Sequence, residues 1–141
     1  GRWENYAPDG QPTWEGHYEN GQRHGVWTWY HDNGKTKQQG PYRAGQREGT
    51  WETYWRSGRL LSKEAFVNGK QHGADTSYHD NGQLWAQGAY QNGKQDGPWT
   101  YYFDDGQVEK RGIFKDGALT GSWVFSDKVA DKVRQQPAPK R

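Results

Sequence analysis

Several things are missing from this 141-residue chain, and each absence narrows what it can be. There is no cysteine, so neither a disulfide framework nor thiolate chemistry is available. No apolar run approaches the ~20 residues of a membrane-spanning helix, and no stretch from 1 to 125 has helical periodicity. Charge of one sign is also lacking. The net charge is +2 with both signs spread along the chain, which removes the electrostatic case for nucleic acid or an anionic membrane surface. Methionine is absent and the chain begins at Gly1, which reads as a trimmed or processed product. A removed signal peptide fits that reading, and the compartment stays open.

Aliphatic residues are scarce too, and mean hydropathy is very low at −1.39, a value that alone suggests disorder. The aromatic content argues against it. The chain holds 9 Trp, 9 Tyr and 4 Phe, and rings make up more than half of its hydrophobic residues. Disordered chains are poor in rings, so the core is expected to be built from indoles and phenols.

Those rings recur every 24 residues. One column reads Trp3, Trp27, Trp51, Asp75, Trp99 and Trp123; another reads Tyr6, Tyr30, Tyr54, Tyr78 and Tyr102. All 20 glycines fall in four columns, and no repeat has gained or lost a residue. A strict period in this range marks a repeat architecture, in which each unit buries its apolar face against its neighbours. Each unit carries two turn signals. Asp9-Gly10, Asn33-Gly34, Ser57-Gly58, Asn81-Gly82 and Asp105-Gly106 form one set. Asn20-Gly21, Ala44-Gly45, Asn68-Gly69, Asn92-Gly93 and Asp116-Gly117 form the other. Both sets read as two-residue hairpin turns between strands rich in Trp, Tyr, Phe and Thr. The expected fold is all-β: an elongated, twisted antiparallel meander of five tandem 24-residue hairpins and a final half-repeat over 1–125, with one aromatic face. Residues 126–141 are expected to form a short helical cap, over 128–135, and a frayed basic end.

Two-residue turns also set a register. Around Asn33-Gly34, Trp27 faces Gly40, Trp29 faces Gln38 and His31 faces Thr36; around Ala44-Gly45, Gly40 faces Gly49 and Gln38 faces Trp51. Around Asn68-Gly69, Asp75 faces Ser62 and Glu64 faces Gly73. Across the flanking turns Asp75 faces Gly88, Ser77 faces Ala86, His79 faces Leu84, and Glu64 faces Trp51. The Trp column, the Gly16/Gly40/Gly88/Gly112 column and the Tyr18 column then share a face, the strand glycines leaving room for an indole.

With the columns aligned, the unit resembles the MORN repeat, in the bacterial variant type of YwqK-like antitoxin proteins. The likeness rests on Tyr-His-Asp-Asn-Gly-Gln-Leu (78–84) and Gly-Ala-Tyr-Gln-Asn-Gly-Lys-Gln-Asp-Gly-Pro-Trp (88–99) and extends over 1 to about 125. It departs from the family at Asp75 in place of Trp, at Glu64 in place of Gly, and in a slightly longer spacing. The resemblance implies a β-meander used for protein contacts, or for lipid contacts, and brings no catalytic residue and no cofactor.

No elbow serine, phosphate-binding glycine pattern or metal-ligand spacing stands out. His24 and His72 share a polar turn column, and the aspartates before turn glycines are the residues such turns favour. The informative feature is the break in the repeat. It gathers Ser62, Glu64, Asp75, Ser77 and His79 beside Trp51, Trp55 and Trp99, and the same face carries the extra, non-repeating rings Trp14, Trp29, Trp55, Tyr101 and Phe103. Either the unit has drifted or these residues form a partner-binding notch. The leading expectation is a non-catalytic protein- or peptide-binding module, and the alternative is a carbohydrate-binding module whose ring rows stack on sugars. An acid–base pair of Glu64 and Asp75 is a distant third. Nucleic acid and membrane insertion are not expected.

Overall fold

The structure, a computed structural model, describes residues 1–129. Its strands are β1 (Arg2–Tyr6), β2 (Pro12–Glu19), β3 (Gln22–Tyr30), β4 (Thr36–Arg43), β5 (Gln46–Arg47), β6 (Gly49–Tyr54) and β7 (Leu60–Val67). They continue as β8 (Lys70–Tyr78), β9 (Leu84–Gln91), β10 (Lys94–Gln95), β11 (Gly97–Tyr102), β12 (Val108–Lys115), β13 (Ala118–Leu119) and β14 (Val124–Phe125). All belong to one antiparallel sheet in sequence order, β1-β2-β3-β4-β6-β7-β8-β9-β11-β12, with β13 and β14 both on β12. The meander expected from the period is what forms. Of the expected tail helix, only the start at residues 127–129 is described; the rest lies outside the described residues.

The two turn sets differ, which corrects the sequence reading. In the second set both loop residues have positive φ, as at Asn20 (52°) and Gly21 (76°), so these are two-residue turns. Ala44 adopts the same conformation at 50° despite its Cβ. In the first set only the glycine does, and the loop holds three residues. Around Asn33, His31 N donates to Lys35 O and Gly34 N donates to His31 O. Asn33 is chosen there for its side chain, whose Oδ1 accepts from Lys35 N at 3.0 Å. Asp9, Ser57, Asn81 and Asp105 act alike.

A second correction concerns register. Tyr42 faces Arg47, as a turn at Ala44-Gly45 requires, but three strand positions on Gln39 faces Glu52. A bulge at Glu48-Gly49 intervenes, where Glu48 N donates to Pro41 O and Gly49 sits at φ 74°. Gly40 therefore meets Trp51, not Gly49. The same shift between Glu64 and Phe66 places Glu64 opposite Asp75 and Ser62 opposite Ser77. A shift of two keeps every side chain on its face, so the aromatic face survives the error while the partners change. The extra residue at the three-residue turns likewise puts Tyr78, not His79, opposite Leu84, and Tyr30, not His31, opposite Thr36.

The Trp and Gly columns interlock across the strands. A Cβ on Gly16, Gly40 or Gly88 would stand 2.2 Å from the indole of Trp27, Trp51 or Trp99 respectively, so only glycine fits. Each of those indoles also donates its Nε1–H to a backbone carbonyl, of His17, Pro41 and Ala89. Trp27 and Trp51 are each only 1% exposed. A ring ladder runs from Trp14 through Trp27, Trp29 and Trp51 to Phe66, then stops. It resumes with Tyr90, Trp99, Tyr101 and Trp123. The rings thus form two clusters, one ending at Phe66 on β7 and the other beginning with Tyr90 on β9. The extra rings Trp14, Trp29 and Tyr101 are half-buried by stacking along the ladder, so less of the ring surface is free than the sequence suggests.

Candidate functional site

Glu64 and Asp75 occupy the gap between the two ring clusters. Elsewhere in the row a glycine and an indole meet at this point; here a Gly-to-Glu and a Trp-to-Asp replacement coincide at one cross-strand pair. The two changes depend on each other. A side chain at 64 fits only where no indole fills position 75, because the glycine it replaces leaves no room for a Cβ beside one.

The pair opens a cleft of about 320 Å³ lined by Leu61, Ser62, Glu64, Asp75, Ser77, Trp85, Ala86, Tyr90, Gln95, Trp99 and Tyr101. Six of the nine residues expected at the notch line it: Ser62, Glu64, Asp75, Ser77, Trp99 and Tyr101. Trp51 does not. Its backbone faces Glu64, but its indole is buried between Gly40, Tyr42, Phe66 and the Arg47 guanidinium. Trp55 and His79 stand one ring away, both stacked on Trp85, at 6.2 and 5.5 Å between centroids. They share a column, and both tie one repeat to the next: Trp55 Nε1 donates to Tyr78 O, and His79 Nε2 donates to Tyr102 O. Trp85 itself was missed. It is 42% exposed and belongs to no ring column, so only its singularity in the repeat could have flagged it.

Two carboxyl groups directly opposite each other on a sheet repel, and neither forms an ion pair among the described residues. Glu64 is held by neutral donors: Ser62 Oγ at 3.2 Å and Gln71 Nε2 at 2.6 Å. Ser62 is only 5% exposed. No hydrogen bond reaches the Asp75 carboxyl among the described residues, and burial, then the Glu64 charge, pushes it up to about 6. Burial and the same two carboxylates also raise the Tyr90 phenol.

The raised acid has a consequence for stability. The folded chain holds the Asp75 proton more tightly than the unfolded chain, so stability should fall as pH rises from about 4 to about 6 and then level off. Asp75→Asn should remove that decline and leave the variant the more stable protein at pH 7. Thermal melts of both proteins between pH 4 and 7 check this; parallel curves would mean that Asp75 is well solvated.

A larger, mainly apolar cleft of about 600 Å³ opens at the β1 edge, lined by Trp3 and Tyr18 of the repeat columns and by the extra ring Trp14. The Glu64–Asp75 cleft is where the Trp and Gly columns themselves break.

No curated protein matches this chain. Among solved structures, the chain is similar to one described as a crystal structure of the GtfA/B complex bound to UDP and GlcNAc. The identity is 17%, and the match covers 79% of this chain and 25% of that one, with a TM-score of 0.34. The chain therefore spans about a quarter of that structure's length. The family comparison agrees with the columns and the meander. The model of the MORN repeat variant matches four successive segments, 23–44, 47–68, 71–92 and 95–116, which start 24 residues apart and together take up more than half of the sequence. The chain belongs to the MORN repeat variant family.

Proposed function

We propose that this chain is a non-catalytic protein-binding module that receives a basic side chain, lysine or arginine, from its partner in the Glu64–Asp75 cleft. Repeats of this family are in general non-catalytic modules. The observation that carries the reading is a pair of carboxyl groups with no ion-pair partner among the described residues, set among the rings of Trp85, Trp99, Tyr90 and Tyr101. A cation there relieves the repulsion between the carboxylates and meets ring faces that attract it. In the antitoxin-like form of this reading the partner is a toxin or an effector.

The test is a pull-down from the source organism with wild type and with Glu64→Gln/Asp75→Asn, whose shapes are nearly unchanged. A partner retained by wild type and lost from the variant supports the reading, above all if its binding strengthens as pH rises from 5 to 7 with ionisation of Asp75. Equal retention overturns it. A glycan array run in parallel decides the carbohydrate alternative: sugar binding that survives the double substitution would move the site to the ring rows.

A further inference from the structure

Immediately beside the acidic cleft, on the same face, lies a cleft of opposite character. Arg23, Arg47 and Lys37 line it together with Trp29, Gln38, Tyr42 and Thr53, and its volume is about 460 Å³. The Arg23 guanidinium lies 4.8 Å from the Trp27 ring centre, and that of Arg47 lies 4.4 Å from Trp51. Neither forms an ion pair among the described residues. Covering an indole does not require their charge, because the same repeat column holds Gln71, Gln95 and Leu119, and Trp99 is buried with glutamine there. On the aromatic face Arg23 and Arg47 are therefore followed by two carboxyl groups that form no ion pair among the described residues.

We infer that the Arg23–Arg47 cleft is a second subsite, which takes an acidic side chain of the same partner whose basic side chain enters the Glu64–Asp75 cleft. Charge complementarity sets the occupant: an extended segment with one acidic and one basic residue. Neighbouring strands lie about 4.8 Å apart, and the two charge pairs are centred between two and three strands from each other. That places them about 12 Å apart, a span that an extended chain covers in about four residues. Arginine suits this role because its planar fork binds a carboxylate through two parallel hydrogen bonds while its flat face stays on a ring.

This inference rests on the function proposed above, and the experiment separates the two. A phage library of random 12-residue peptides is panned on wild type at low salt. The enriched peptides are then synthesised with amidated ends and titrated by fluorescence anisotropy against wild type, Arg23→Gln/Arg47→Gln and Glu64→Gln/Asp75→Asn. The arginine substitutions copy Gln71 and Gln95, so the sheet should fold, which thermal melts of the variant check. Enriched peptides should carry an acidic and a basic residue about four apart. Arg23→Gln/Arg47→Gln should weaken them on the order of tenfold, the scale of one charge-assisted contact. Replacing the peptide's acidic residue by alanine should cost the variant nothing more. If the arginine variant binds as tightly as wild type, or if the acidic residue matters equally to both, the subsite fails while the function proposed above stands. If no peptide depends on Glu64 and Asp75, or none is enriched, that reading fails and the subsite with it.

Discussion

Replacing Trp27 by alanine should destabilise the fold by about 3–5 kcal/mol, the range for emptying a buried indole site. Four things are lost together. The ring fills the space that Gly16 leaves open, and its Nε1–H satisfies the His17 carbonyl. It also meets Trp14, Tyr18, Trp29 and Tyr42, and it lies under the Arg23 guanidinium. The strand glycine cannot follow the missing ring, because it pairs with Trp3 and its neighbour Glu15 pairs with Thr28. Trp14→Ala should cost well under that, since Trp14 is half-buried and packs mainly against one face of Trp27. Urea unfolding at unchanged m-value measures both. Equal losses would overturn the division between column rings, which form the core, and extra rings, which cover it. Because the ladder breaks at the Glu64–Asp75 pair, the Trp27 variant should loosen amides of β2 to β6 more than those of β11 and β12 under hydrogen exchange.

The architecture could be read from the columns because a strict 24-residue period leaves little else to choose. Strand alternation fixed the face of Trp27, Gly40 and Tyr42, and it was right even where the register was off by two. What the sequence hid was local backbone geometry. The glycines at 25, 49, 73, 97 and 121 look like one more turn column, yet they hold positive φ within the strand arms, with bulges beside them. A count from the turn residues cannot see that. It therefore placed Gly73 opposite Glu64, where the fold places Asp75, and so understated the charge repulsion at the centre of the site. Trp55 looked like an extra ring because His31, His79 and Phe103 share its column and none of them is an indole. Its role became clear only through its bond to the Tyr78 carbonyl, which parallels the bonds from His31 and His79. Trp51 looked like a wall of the notch because its backbone faces Glu64, whereas its side chain belongs to the core.

Restoring the repeat at the break should behave as a coupled pair. Asp75→Trp alone sends an indole into space that the Glu64 side chain occupies, an overpacking cost of about 1–3 kcal/mol. Glu64→Gly alone relieves the repulsion on Asp75 but adds a strand glycine, which costs about 0.5–1 kcal/mol, so its net effect should be small. Together the two changes rebuild the interlock seen at Gly40–Trp51 and Gly88–Trp99. The new indole would have the Ala65 carbonyl as its acceptor, the position that His17, Pro41 and Ala89 occupy for the other three. It would also join Phe66 to Tyr90 and close the gap in the ladder. Burying a large apolar side chain contributes about 1.5–3 kcal/mol. The double variant should therefore be more stable than wild type although one of its parent substitutions is destabilising. Residues in contact couple by about 0.5–3 kcal/mol, and this pair should lie at the upper end of that range. Four urea titrations close the cycle, and additive effects would mean that the two replacements arose independently. The same variant has lost the cleft and both carboxyl groups, so it should no longer retain the partner captured by wild type. If it gains stability and still binds normally, the cleft has no part in recognition, and the break at Glu64 and Asp75 is drift in one repeat.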